Sequence, residues 1–173
     1  MFSKRSGISL LILVLLMCLG VTAQKLSEVH PNPGFDKIKT LVGEWDGTVV
    51  EGGQTLQTHA VVTVVSDNSA IMHQLDPGTP HGMITMFHTD GADLLATHYC
   101  AAHNQPRMKL VPSDDPKSLL FDFKDGTNIA PGDGHMQSVK FIFVDADHHF
   151  EDWSYIDGGQ IFTRRFDFHR KKA

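Results

Sequence analysis

Over most of this chain apolar and polar residues alternate at period two, the pattern of half-buried strands. One early stretch departs from it. Phe35, Ile38, Leu41 and Val42 fall at helical spacing, after Asn32-Pro33-Gly34 and before the helix-stopping Gly43. A helix is therefore expected over Phe35–Val42. After Gly43 the strand period takes over. Candidate strands are Glu44–Glu51, Leu56–Ser66, Ser69–Leu75, Met83–Thr89, Asp93–Ala101, Arg107–Val111, Ser118–Phe123, Met136–Asp145, His148–Ile156 and Gln160–Phe168. Turn-formers such as Gly52-Gly53, Asp67-Asn68, Asp90-Gly91 and Gly158-Gly159 join them. Two longer connections run from Asp76 to Gly82 and from Asp125 to Gly134. About ten short strands, one leading helix and no internal repeat or linker predict a single all-β domain. An antiparallel up-and-down barrel is expected, with a sandwich as the alternative. Closure would remove the exposed sheet edges.

The start of the chain reads as an address. Lys4 and Arg5 precede an apolar run, Ile8 to Leu19, and Val21 and Ala23 are small residues at the −3 and −1 positions of a cleavage site. This describes a secretory signal peptide over residues 1–23, with the barrel domain over 24–173. The run is too short for a spanning helix, which needs about 20 residues. Met17 before Cys18 argues against a lipoprotein. A secreted or periplasmic location is expected, with no membrane span in the mature chain.

Composition then changes the picture in three ways. The net charge is −5, and loss of the two basic leader residues makes it −7. That mild acidity argues against nucleic acid as a partner. Cleavage would remove one of the two cysteines and leave Cys100 alone, so stability must come from a core rather than a disulfide. The 11 histidines are the third feature.

Alternation assigns faces. Phe162, Arg164, Phe166 and Phe168 share the aromatic face of the last strand, and Trp45, Gly47 and Val49 share a face of the first. A stack of Trp45 on Arg164 is the expected closure of the barrel, since a guanidinium among aromatics needs a partner. The densest polar constellation is His98, Tyr99, Cys100, His103, Asn104, Gln105 and Arg107, around one tight connection. The small Ala96 and Cys100 favour the His98 face as the inner one. A hairpin sets the strand of His88 beside it, so that His88 and His98 would approach, depending on register. His88 joins the ligand-binding candidates on that ground. The plainer reading of individual members is that His and Asn at strand ends satisfy turn backbone. The remaining aromatics, Phe121, Phe141 and Trp153 among them, read as core, and the tail His169–Lys172 as a solvated end.

The helix, the run Gly43-Glu44-Trp45-Asp46-Gly47-Thr48 and a basic residue in the last strand resemble the calycin superfamily. In lipocalins a Gly-x-Trp packs against such a base; nitrobindin-like haem barrels open with a similar run. The segments Thr97-His98-Tyr99-Cys100-Ala101 and Asn104-Gln105-Pro106-Arg107-Met108 resemble a family of secreted bacterial proteins without an established activity. The resemblance implies a barrel that holds a small apolar or amphipathic molecule. Three readings follow. The first is a ligand pocket with His98, Asn104, Gln105 and Arg107 as polar contacts, Arg107 meeting a carboxylate. The second is a haem or metal site drawn from His73, His88, His98 and His103, although no tight ligand spacing is present. The three C-terminal histidines, His148, His149 and His169, do not match a haem-ligand motif. The third is an enzyme using Cys100 with His98 or His103, for which no orienting carboxylate is visible.

Overall fold

The computed structural model describes residues 31–172; the expected signal peptide and Cys18 lie outside these residues. A short helix, α1 (Pro33–Lys39), precedes ten strands. They are β1 (Gly43–Glu51), β2 (Gln54–Val65), β3 (Ala70–Leu75), β4 (Met83–Asp90), β5 (Asp93–Tyr99), β6 (Gln105–Val111), β7 (Ser118–Thr127), β8 (His135–Phe143), β9 (His148–Asp157) and β10 (Gln160–Arg170). Each pairs antiparallel with the next, and β1 pairs with β10, so the sheet closes into the expected barrel. Among the described residues no helix is long and apolar enough to cross a membrane.

The tight turns follow from their residues. Gly52-Gly53 and Gly158-Gly159 both take left-handed φ, as two-residue hairpin turns require. The helix begins earlier than Phe35 because Asn32 caps it, accepting from Phe35 N, with Pro33 in the first turn. Its end tightens: Thr40, Leu41 and Val42 bond three residues back, to Lys37, Ile38 and Lys39. The helix plugs one end of the barrel with Phe35, Ile38 and Leu41, and a Cβ on Gly34 would sit 2.6 Å from the Leu110 side chain. The core above this plug holds Phe87, Phe121, Phe141, Met108 and Phe168, all fully buried.

The closure differs from the expected one. Trp45 lies opposite Arg170, and the Arg170 guanidinium sits 4.2 Å from the Trp45 ring centroid. Arg170 also donates to the carbonyls of Thr40, Val42 and Ala146, fastening the helix end to the rim. Arg164 shares the face of Arg170 but lies at the other, open end, exposed and paired with Glu51. The face was legible from alternation, whereas the height along the barrel depends on register. Arg170→Ala is therefore expected to cost about 1–3 kcal/mol, through lost stacking and orphaned carbonyls. Arg164→Ala removes an exposed pair worth under about 1 kcal/mol. Urea unfolding of the two variants side by side checks this ranking.

Candidate functional site

At the end opposite the helix the barrel is hollow. A cavity of about 720 Å³ opens there, within the range of small-molecule sites. Its walls carry Val49, Leu75, Met83, Met136, Trp153 and Phe166. Its mouth carries Glu51, Asp76, His81, Cys100, Tyr155, Phe162 and Arg164. The connection Asp76–Gly82 forms part of the mouth. It is pinned to β2, where Asp76 Oδ1 accepts from Thr58 Oγ1 and His59 N, each at 2.9 Å.

The floor is polar. His73, Thr85 and His98 lie in one cross-strand row, His73 opposite Thr85 and Thr85 opposite His98. One step deeper on the same faces, Ile71, Phe87 and Ala96 are fully buried and fill the barrel. His98 Nδ1 lies 2.9 Å from Thr85 Oγ1, while its Nε2, also buried, has no partner among the described residues. Burial, and after it the neighbouring His73, pushes the His98 imidazole down to about 4, so the ring is neutral near pH 7.

Beneath this row lies a carboxylate. Glu151 is wholly buried, and three N–H groups converge on it. His73 Nε2 and His149 Nε2 donate to Oε1 at 3.0 Å each, and Trp153 Nε1 donates to Oε2 at 2.8 Å. Burial acts to raise the Glu151 carboxyl. The electrostatic pull of His73 and the bonds from His149 and His73 outweigh it and hold the group well below the usual carboxylate range. An ionised carboxylate only accepts, which assigns the Nε2–H form to both imidazoles. His149 in turn meets the Trp45 ring edge-on at 4.3 Å. A packed column thus runs from Arg170 and Trp45 through His149 and Glu151 to His73 at the cavity floor.

Of the eight ligand-binding candidates, His98 and Cys100 line this cavity. The others are not among its lining residues. His88 shares the outer face of β4 with Ile84 and Met86, because the two-residue turn after Asp90 pairs His88 with Leu95 and Thr85 with His98. That register puts His88 and His98 on opposite faces and corrects the expected approach. Tyr99 is half exposed on the outside. His103 sits in the β5–β6 turn with φ 61°, and its N–H bonds the Cys100 carbonyl. Asn104 is buried but serves backbone, donating to Gly134 O at 2.9 Å. Gln105 accepts from Thr127 Oγ1. Arg107 faces outward and pairs with Asp125, so its charge is already committed.

Glu151 could not be placed from the sequence, because alternation alone does not say which face of its strand is the inner one. The available signal was parity: His149, Glu151 and Trp153 share one face, with Phe150 and Asp152 on the other. Of the C-terminal histidines, His149 is buried below the cavity, while His148 and His169 lie outside the barrel.

No protein-family model and no curated protein matches this chain. Solved structures do. Rv2717c from M. tuberculosis is 12% identical with a TM-score of 0.55, over 84% of this chain and 100% of that one. A protein of unknown function from the DUF3598 family of Nostoc punctiforme PCC 73102 is 11% identical with a TM-score of 0.54. That match covers 78% of this chain and 48% of the other, so this chain spans about half the length of the Nostoc protein. At these identities the likeness shows the fold alone, and the fold shared is that of a ten-stranded antiparallel barrel.

Proposed function

We propose that this chain is an exported, calycin-like barrel that binds a small amphipathic molecule in the open end of its interior. The observation that carries the reading is the His98 Nε2 atom: buried, without a partner among the described residues, on the floor of a cavity with apolar walls. A native interior rarely leaves such an atom unmatched, and a ligand group would satisfy it. The ionised Glu151 lies directly under the floor and His98 is neutral. A neutral hydrogen-bonding group, a hydroxyl or an amide, therefore suits the inner end better than an anion. The apolar body would rest on Leu75, Met83, Trp153 and Phe166. The leader-like residues 1–23 support export.

Native mass spectrometry of the exported protein reads both the mass of residues 24–173 and any retained molecule. An apolar fluorophore titrated into the protein should brighten, and Met83→Trp, which fills part of the cavity from its wall, should weaken its binding at least about tenfold. A probe bound equally well by Met83→Trp would place it elsewhere on the surface and sink the reading.

Haem or a metal ion in the cavity is the second reading, and the same Nε2 favours it. With Nδ1–H given to Thr85, the His98 ring offers a free lone pair at Nε2. Haem held there would supply gas-ligand or electron-transfer chemistry. A Soret band that shifts on mixing with the protein, and does not shift with His98→Gln, would support it. An unshifted band, together with no metal by elemental analysis, removes it.

A further inference from the structure

We propose that His148, Asp167 and His169 form a transition-metal site on the outer wall of the barrel, for a divalent ion of the zinc class. The site is independent of the cavity. It sits near the helix-plugged end, on the opposite side of the sheet from Glu151 and His149.

The strands build it. In the β9–β10 ladder His148 lies directly opposite His169, and Asp167 is two residues from His169 on the same outer face. Their ligand atoms all fall within 4.8 Å of one another. The two imidazole rings stack 4.2 Å apart at 17°, and both Nε2 atoms aim at one carboxylate oxygen. His148 Nε2 is 2.9 Å and His169 Nε2 is 3.3 Å from Asp167 Oδ1. Metal–ligand bonds of about 2.0–2.2 Å in a tetrahedral set put donor atoms about 3.4 Å apart. The two imidazole nitrogens already stand 2.9 and 3.3 Å from Asp167 Oδ1, close to that spacing. An ion would take the Nε2 lone pair of each neutral imidazole, the ring N–H then standing at Nδ1, and one Asp167 carboxylate oxygen.

The donor chemistry selects the ion class. Two imidazoles and one carboxylate suit zinc, cobalt or nickel better than calcium or magnesium, which take oxygen ligands. The surroundings favour a cation. Among the described residues, Asp167 has no Lys or Arg partner within ion-pair distance. Arg165, its neighbour on the same strand, gives its guanidinium to Asp152 in a two-bond fork. Lys171 is paired with Glu44. Across the other ladder Asp46 lies opposite His169, and His59 bonds Asp46 at 2.9 Å. A shallow recess lined by Asp167, His169 and Asp46 leaves room for coordinated water at the open positions of the ion. His148 is itself held against Phe150, edge to face at 4.7 Å, which limits the rotamers it loses on binding.

The test uses the full chain without a histidine tag. Calorimetry with zinc at pH 7.5 should show one equivalent bound, and cobalt(II) should develop visible absorption. His148→Ala and His169→Ala should each weaken zinc binding at least about tenfold, and the double variant at least about a hundredfold. Asp167→Asn should also weaken it, while His103→Ala, in the β5–β6 turn, should not. Circular dichroism reports whether each variant folds. If one does not, the unaltered chain still decides: zinc should shift the ring resonances of His148 and His169 and spare those of His73 and His98. Zinc binding unchanged in the double variant, ring shifts confined to other histidines, or no uptake at zinc concentrations on the order of 0.1 mM would overturn the proposal.

Discussion

Glu151→Gln is expected to destabilise the barrel by about 3–5 kcal/mol, the cost of breaking a buried charged network by removing one partner. The carboxylate takes N–H bonds from His73, His149 and Trp153 and has no contact with water. The amide keeps the shape but turns an NH₂ group towards either the two imidazoles or the indole, donor against donor. Set against a total stability of about 5–15 kcal/mol, the loss moves the chain close to unfolding at 37 °C. Asp152→Asn, one residue away but on the outer face and paired with exposed Arg165, should cost under about 1 kcal/mol. Urea midpoints followed by circular dichroism at pH 7 compare the two. Equal midpoints would mean that the buried carboxylate does not hold the interior together. Replacing His73, Glu151 and His149 together by apolar residues should recover much of the loss, since a well-packed apolar set dispenses with the desolvation of the charge.

The second large effect is acid sensitivity that begins well above the carboxylate range. An unfolded chain protonates His98 near its ordinary value of 6.5, whereas the buried ring takes a proton only near about 4. Between those values the unfolded state binds more protons, so stability falls as the pH falls. By pH 4 the loss from this one ring reaches about 3 kcal/mol. Glu151 acts in the same direction lower down. Its carboxyl is depressed in the fold, so its contribution is present above about 4.5 and is lost as the pH falls below it. His98→Gln keeps a partner for the Thr85 hydroxyl and removes the first window only. Stability measured at pH 7, 5.5 and 4 should fall less steeply in the variant than in the parent over the upper interval. Identical slopes would show that His98 is not the group responsible.

These two groups also show where sequence reasoning succeeded and where it stopped. The inner face of β5 was readable because small residues at Ala96 and Cys100 mark a packed side, and His98 shares their parity. The closing Trp45 was readable from its place after the helix. Its partner was not. Arg164 and Arg170 have the same parity and the same charge, and only the β1–β10 register selects Arg170. His88 failed for a related reason, because the length of one turn decides which residues of a hairpin share a face. Asn104, Gln105 and Arg107 do not line the cavity: the Asn104 amide N–H goes to Gly134 O, Gln105 accepts from Thr127, and Arg107 pairs with Asp125. Glu151 needed a partner from β3 to be credible as a buried charge, and that partner, His73, lies 78 residues away in the chain.

What the sequence by itself determined is therefore local: about ten strands, the positions of the tight turns, the two-sided alternation along each strand, and the leading helix. These rest on a two-residue period, on a 3.6-residue period and on the φ preferences of glycine, all of which act over a few residues. Tertiary structure alone decided how far along the barrel each side chain stands and which of them meet. That height accumulates turn lengths and register shifts around ten strands, such as the one between Arg107 and Met108. It also decided which end stayed hollow. The helix and the turn after it fill one mouth with Phe35, Ile38 and Leu41, and the opposite mouth, with no such plug among the described residues, keeps its cavity above the His73–Thr85–His98 row.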